Sequence, residues 1–448
     1  MILKPENAFL CIAVTFGILL VFITPPFQTP DEPAHFYRAF QISEFKIMPQ
    51  KQENKVGGEL PVSLKNTVEK SMGSVTFYPE RKVSIPEILL ALNIQLNSHK
   101  REFLEFSNTA RYSPVAYIPQ TLGIILGKLF NSSPVFLMYL GRLFNMVFWV
   151  FFVYFAIKLT PVSKWLFFLL ALTPMSMFIS ASLSADVLTN GTAFLLISLI
   201  LKYSLDDNAG LDKSNLLSIF LLSVVLSLTK QIYFLIPFMF LIIPVKKIGS
   251  KTKYFAIFFS LIFVSLFAVS IWFLAIKDII VPLKSDISTI QQATYVFNNP
   301  MKFLEISIKT LSSKKFISHF IGQLGWLDTE MSWFFLLPYF FMLIFTALTD
   351  NTGDKILTSK HKMIMAAALF ASIILICLSQ YLTWTPVGRT RIQGIQGRYF
   401  IPLSPMIFLL LYNKKIEFNF NLKNFAIVCF SFFSLIYTLI ILMKRFYI

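Results

Sequence analysis

Residues 115–130, VAYIPQTLGIILGKLF, decide how this chain is laid out. The stretch is apolar but short, and it carries Pro119 and Lys128, whereas a membrane-spanning helix needs about 20 largely apolar residues. If it does not cross, the short loops 158–164, 202–213, 246–253, 350–362 and 413–423 fall on one face and together hold fourteen lysines. Lys and Arg accumulate in cytoplasmic loops, so these five loops then face the cytoplasm. If it does cross, KKIGSKTK (246–253) and NKKIEFNFNLK (413–423) face outward. The first arrangement fits better, although it leaves Lys444 and Arg445 outside against the same trend. Residues 115–130 are therefore expected as an interfacial or re-entrant helix with both ends outside.

The rest of the chain explains why crossing is the question. Its 448 residues are 56% apolar and 14% charged, with a mean hydropathy of +0.67. A soluble domain averages about 45–50% apolar and about 25% charged, so an ordinary cytosolic enzyme is excluded. Candidate spans lie near 8–27, 134–157, 165–182, 187–203, 214–229, 231–245, 254–276, 333–349, 362–384, 399–412 and 424–443. The expected fold is an all-α polytopic integral membrane protein with about eleven transmembrane helices in one domain. The first span ends in ITPPFQTP rather than a small-residue cleavage site, which reads as a retained anchor. Segments 28–133 and 277–332 become large extracytoplasmic loops. In the second, Asn299, Pro300 and the apolar positions Phe303, Leu304, Ile308 and Leu311 predict an amphipathic helix along the membrane surface.

The formal charge of +17 marks cytoplasmic loops and attracts anionic membrane lipid or phosphate, so nucleic acid is not called for. Cys11, Cys377 and Cys429 lie inside apolar stretches, and His99, His319 and His361 have no metal-like spacing; neither metal nor cofactor is assigned. The sequons at Asn131 and Asn190 read as chance matches.

Polar groups beside spanning helices cost about 2.5–3.5 kcal/mol on insertion scales at the helix centre, so each needs a reason. They gather near the outer helix ends. TPDEPAHFYRAF follows the first span directly. Thr29, Pro30 and Glu32 there match a T-x-x-E capping box. Asp31, His35 and Arg38 also fall at i, i+4 and i+7 on one face, and a carboxylate at the interface suits general-base chemistry. In MYLGRLFNMV, Arg142 and Asn145 share a face. In LTPMSMFISASLSADVLTN, Pro174 interrupts a helix while Asp186 and Asn190 open the next. Lys230 stands between two short apolar runs that read as half-length helices turning at the outer face. VGRTRIQGIQGRYFIPLSP brings Arg398 and Tyr399, with glycines that let backbone approach a ligand, and Arg forks bind phosphate at two points. GWLDTEMSW adds Asp328 between two tryptophans.

In order, PDEPAHFYRA, NTARYSPVAYIPQTLG, YLGRLFN, ALTPMSMFISASLSADVLTN, LTKQIYFLIP, GWLDT and IQGRYFIPLSP resemble a bacterial family of predicted polytopic membrane proteins of unassigned function, over about residues 10–405. That family is grouped with the GT-C glycosyltransferases. The resemblance implies a GT-C-like bundle in a bacterial plasma membrane, with a cavity open to membrane and outer solvent. It implies sugar transfer from a polyprenyl-phosphate-linked donor to a glycan or lipid acceptor, with Asp31 as the acidic base and Glu32 as its substitute. Arg111 and Tyr112, from the second motif, join the substrate-binding candidates His35, Arg38, Arg142, Asn145, Asp186, Asn190, Lys230, Asp328, Arg398 and Tyr399. A transporter or flippase of lipid-linked saccharides, or a polymerase, is the alternative.

Overall fold

The computed structural model describes residues 4–73, 75–282, 286–351, 355–416 and 420–448; parts of the expected loops at 283–285, 352–354 and 417–419 lie outside the described residues. Helices make up 68% of what is described. Six are long and apolar enough to cross a membrane: α1 (Pro5–Ile23), α6 (Pro134–Leu159), α9 (Asp186–Leu205), α11 (Lys251–Ile276), α16 (Ser359–Trp384) and α18, whose apolar window is Leu422–Phe446.

The shorter helices complete the chain order. Between α1 and α6 come α2 (Glu32–Ser43), α3 (Val62–Met72), α4 (Ile85–Leu92) and α5 (Ile118–Leu129). Next are α7 (Lys164–Ala171) and α8 (Pro174–Ser180) before α9, and α10 (Lys213–Thr229) before α11. Then follow α12 (Thr289–Asn298), α13 (Pro300–Leu311), α14 (Lys314–Ile321) and α15 (Trp333–Thr349), and α17 (Ser404–Leu409) precedes α18.

Several stretches expected as single spans take another form. The run 165–182 breaks into α7 and α8 because Pro174 has no N–H to continue the ladder and Thr173 caps the new start by accepting from the Ser176 N–H. Its residues are buried from Trp165 onward, and protein burial is what lets broken backbone persist at membrane depth. After Lys230 the chain winds as a 3-10 helix, Gln231–Ile242, with Pro237 inside it. At about 2.0 Å per residue those twelve residues reach about 24 Å, where an α-helix would reach about 18 Å. The run 399–412 yields only a 3-10 turn, Gly397–Phe400, and α17.

Helix α9 is the centre: 89% of its apolar window is buried, against 22% for α11, which turns its aromatic surface outward at the rim. Helix α5 packs antiparallel on the first turns of α6, where added Cβ atoms at Gly123 and Gly127 would lie 2.5 Å from the Leu140 carbonyl and the Leu137 side chain. The small-xxx-small spacing is what allows this approach, and twelve residues are too few to span a bilayer.

The expectation of a purely helical chain needs correction. The first long loop folds β1 (Gln50–Gln52), β2 (Lys55–Pro61) and β3 (Arg101–Glu105) into an antiparallel sheet, with Gly57 opposite Glu105. A two-stranded pair, β4 (Gln323–Leu324) with β5 (Thr329–Glu330), sits in the second. Gly57 and Gly58 mask the alternation in β2, because both are buried and neither carries a side chain. Helix α13 is also turned differently from the expected stripe: it buries Phe303 and Ile306 against Cys377 and Tyr381 of α16 and leaves Ile308 exposed.

Two layers of contacts tie the ends together. At the lysine-rich end Asp350 accepts from the Trp165 and Leu166 N–H groups, Lys355 pairs with Asp206, and Lys362 donates to the Leu410 and Tyr412 carbonyls. At the loop-rich end the Tyr447 hydroxyl donates to the Ile23 carbonyl and Arg445 pairs with Asp328 at 2.7 Å.

Candidate functional site

The loop-rich end holds a cavity of about 330 Å³. Asp31, His35, Arg111, Tyr112, Asp186, Lys230, Arg398 and Tyr399 all line it, so eight residues scattered from position 31 to 399 of the sequence converge.

Each is placed by a local device. Asp31 stands just before the first residue of α2 with φ +62°, a left-handed conformation that a non-glycine residue adopts at some cost, and its side chain makes no capping bond. The expected capping box does not form: Thr29 offers its backbone carbonyl to the Glu32 N–H instead. Freed from capping, the Asp31 carboxylate accepts from the Asn108 amide at 2.9 Å. His35, one turn on, meets the Tyr117 hydroxyl through Nδ1 at 3.0 Å. Burial pushes its pKa down to about 4, so the imidazole is neutral at pH 7. Tyr112 is pushed up to about 12, first by burial and then by the Asp186 and Asp31 charges, and stays a neutral hydroxyl.

Asp186 opens α9 and is held at that helix start, where the Ser184 hydroxyl accepts from its N–H. It pairs with Lys230 and, at 3.7 Å, with Arg398. Two cations thus share one carboxylate, leaving the trio with one positive charge. Lys230 also lies 5.0 Å from the Tyr399 ring centre and 5.6 Å from that of Tyr112, an arrangement that holds an ammonium over aromatic faces. Arg398 donates to Gln396 at 2.6 Å. Gly397 before it serves packing rather than ligand approach: a Cβ there would lie 2.4 Å from the Phe316 carbonyl oxygen and the Phe320 nitrogen of α14.

The other sequence candidates lie elsewhere. Glu32 and Arg142 form a fully buried ion pair, which keeps the Glu32 carboxylate off the cavity wall. Arg38 turns into the protein and donates to Gln41 and the Ile47 carbonyl, which pins the chain leaving α2. Asn145 donates to the Ser182 carbonyl. Asn190 is buried one turn beyond Asp186, off the cavity wall. Asp328 is taken by Arg445, whose guanidinium also donates to the Val75 carbonyl. That pairing accounts for a cation on the face where few are expected.

The sequence reading missed the far wall. Ser379, Gln380, Thr383 and Trp384 from the last turns of α16 line the cavity, as do the apolar Phe273 and Ile276 of α11. A polar triplet at i, i+1 and i+4 inside a spanning helix was the available signal. Asn108, three residues before Arg111, was the other omission.

A family model for predicted membrane proteins, DUF2142, matches residues 14–407. The chain belongs to this family. The match takes in every residue of the cavity, and the six apolar helices make this member a multi-pass membrane protein. No curated protein and no solved structure matches the chain.

Proposed function

We propose that this DUF2142 protein is a GT-C-type glycosyltransferase of a bacterial plasma membrane. It moves a sugar from a polyprenyl-phosphate-linked donor to a cell-envelope glycan or lipid acceptor at the extracytoplasmic face. The observation that carries this reading is the cavity itself, where the Asp31 carboxylate shares one space with three cations and an apolar wall from lipid-facing α11.

The chemistry balances with these groups. The acceptor hydroxyl gives its proton to Asp31 as its oxygen bonds the anomeric carbon. The bond from that carbon to the donor phosphate breaks, and the carrier phosphate leaves with the electron pair toward the cations. A positioned base contributes about 10²–10⁴-fold to such a step.

Eleven crossings and this orientation are part of the proposal. The contacts at the two ends support them: α7 with α8, α10, the 3-10 helix, α15 and the 397–412 run each begin at one layer and finish at the other. The lysine-rich layer then faces the cytoplasm. A cysteine introduced at Gly249 in a background without native cysteines is expected to resist a membrane-impermeant reagent in intact cells; labelling would reverse the orientation.

A flippase needs a polar route to the other face. Residues 165–205 instead place a buried, largely apolar core beneath the cavity, which favours the enzyme. A polymerase would use the same groups on a longer acceptor. The deciding experiment incubates purified protein with polyprenyl-phosphate sugars and scores release of the carrier. Asp31→Asn is expected to insert and accumulate normally while turnover falls by about 10²–10⁴. Wild-type turnover in that variant removes the general-base role, and no release by the parent protein removes the transferase reading.

A further inference from the structure

Three cations line the cavity, and they are not equivalent. Lys230 and Arg398 are both committed to Asp186, and Arg398 is bonded to Gln396 as well. Among the described residues no carboxylate pairs with Arg111. Among the described residues the one hydrogen bond of its guanidinium is a long one, from Nη2 to the Val281 carbonyl at 3.4 Å, and its Nε is buried without a partner. Arg111 is half-buried, and a guanidinium with a buried, unpartnered N–H is costly unless an anion completes it. Burial holds its pKa below the usual arginine value, and no carboxylate nearby offsets that.

The position of Arg111 indicates where such an anion comes from. The Trp272 indole N–H of α11 donates to the Arg111 carbonyl at 3.0 Å, and Val281 follows the same helix, so Arg111 is fixed to the far end of α11. The next residue, Phe273, both lines the cavity and is 57% exposed on the outer surface of α11. Phe263, Phe267 and Leu274 continue that exposed apolar surface along the helix. An apolar track therefore runs from the lipid-facing surface to the guanidinium.

We propose that Arg111 is the anion anchor of the cavity, engaging a phosphate whose hydrocarbon chain lies along α11, while Asp186 keeps Lys230 and Arg398 in place as a preformed positive background. This rests on the reading that the cavity takes a lipid phosphate, and it shifts the two-point phosphate contact expected of Arg398 to Arg111. The guanidinium supplies two parallel N–H donors to two phosphate oxygens, which a lysine cannot reproduce.

The test measures binding without catalysis. Purified protein in detergent is titrated with farnesyl phosphate, with farnesol and inorganic phosphate as separate ligands, using calorimetry. The parent protein is expected to bind farnesyl phosphate at least about tenfold more tightly than either control. Arg111→Gln should lose about tenfold to about a hundredfold, the worth of charge-assisted hydrogen bonds. Arg111→Lys should fall between the two, and Arg398→Gln should lose less than Arg111→Gln.

Parent-like affinity in Arg111→Gln overturns the anchor, as does an Arg398→Gln loss that exceeds it. Equal affinity for inorganic phosphate overturns the lipid source. If Arg111→Gln fails to accumulate, Arg111→Lys decides, and full affinity there overturns the two-point contact. The two proposals fail separately: unchanged binding in Arg111→Gln with active carrier release removes only the anchor, whereas lost binding with no carrier release by the parent removes only the transferase.

Discussion

Glu32 and Arg142 meet as a two-point fork, Nε to Oε1 at 2.8 Å and Nη2 to Oε2 at 2.6 Å, with neither side chain exposed. The remaining donors of Arg142 reach the carbonyls of Val21, Thr24 and Pro25, and Oε1 also accepts from the Leu183 N–H. One pair thus fastens the end of α1, the start of α2, the body of α6 and the approach to α9. It sets the frame in which Asp31, the neighbour of Glu32, faces the cavity.

Removing one partner of a buried pair costs about 3–5 kcal/mol, because the other charge stays behind unpaired. Glu32→Gln is therefore expected to lower thermal stability and accumulation in the membrane, in contrast to Asp31→Asn. Melting curves of the two purified variants separate them. A Glu32→Gln protein as stable as the parent but inactive would return Glu32 to the chemistry.

Asp186 carries a comparable load for two cations at once. Asp186→Asn should destabilise by about 3 kcal/mol or more, and adding Lys230→Met should recover part of the loss by removing one uncompensated charge. Thermal denaturation of the single and double variants measures the coupling. Additive losses would mean that Lys230 does not depend on Asp186.

Gly397→Ala tests how Arg398 is held. The new methyl would meet α14 backbone rather than a flexible side chain, so the expected cost is about 1–3 kcal/mol, with loss of activity. Gly210→Ala, where nothing lies within 4 Å, should leave both properties at parent values. An unchanged Gly397→Ala protein would show that α14 yields at little cost.

His35 gives the protein a pH dependence with a definite sign. Its pKa falls from 6.5 in the unfolded chain to about 4 in the folded one. Nothing is lost above pH 6.5, and stability declines as the pH drops from there toward 4, because the unfolded state takes up the proton first. The full difference is about 3 kcal/mol. Melting temperatures at pH 7 and pH 4.5 should separate more in the parent than in His35→Gln. Equal separation would place the pH response elsewhere.

The sequence by itself determined the membrane character, because apolar runs of this length have no other low-energy environment. It also determined the six long spans to within a few residues, and the turn at Lys230. It marked the right neighbourhoods for the site, since each intramembrane polar group signals a cost that something must offset. It did not separate the roles within those neighbourhoods. Asp31 and Glu32 are adjacent and chemically alike, yet a left-handed backbone turns one to Asn108 and the cavity and the other to Arg142. Arg111 and Arg398 look alike along the chain, and only the carboxylate of Asp186, reached by one and not the other, distinguishes a cation committed to an anion from one that is not. Such pairings join residues 77 or more positions apart, so no local pattern encodes them. The tertiary structure decided them, because in a low-dielectric interior a charge is defined by the partner it meets.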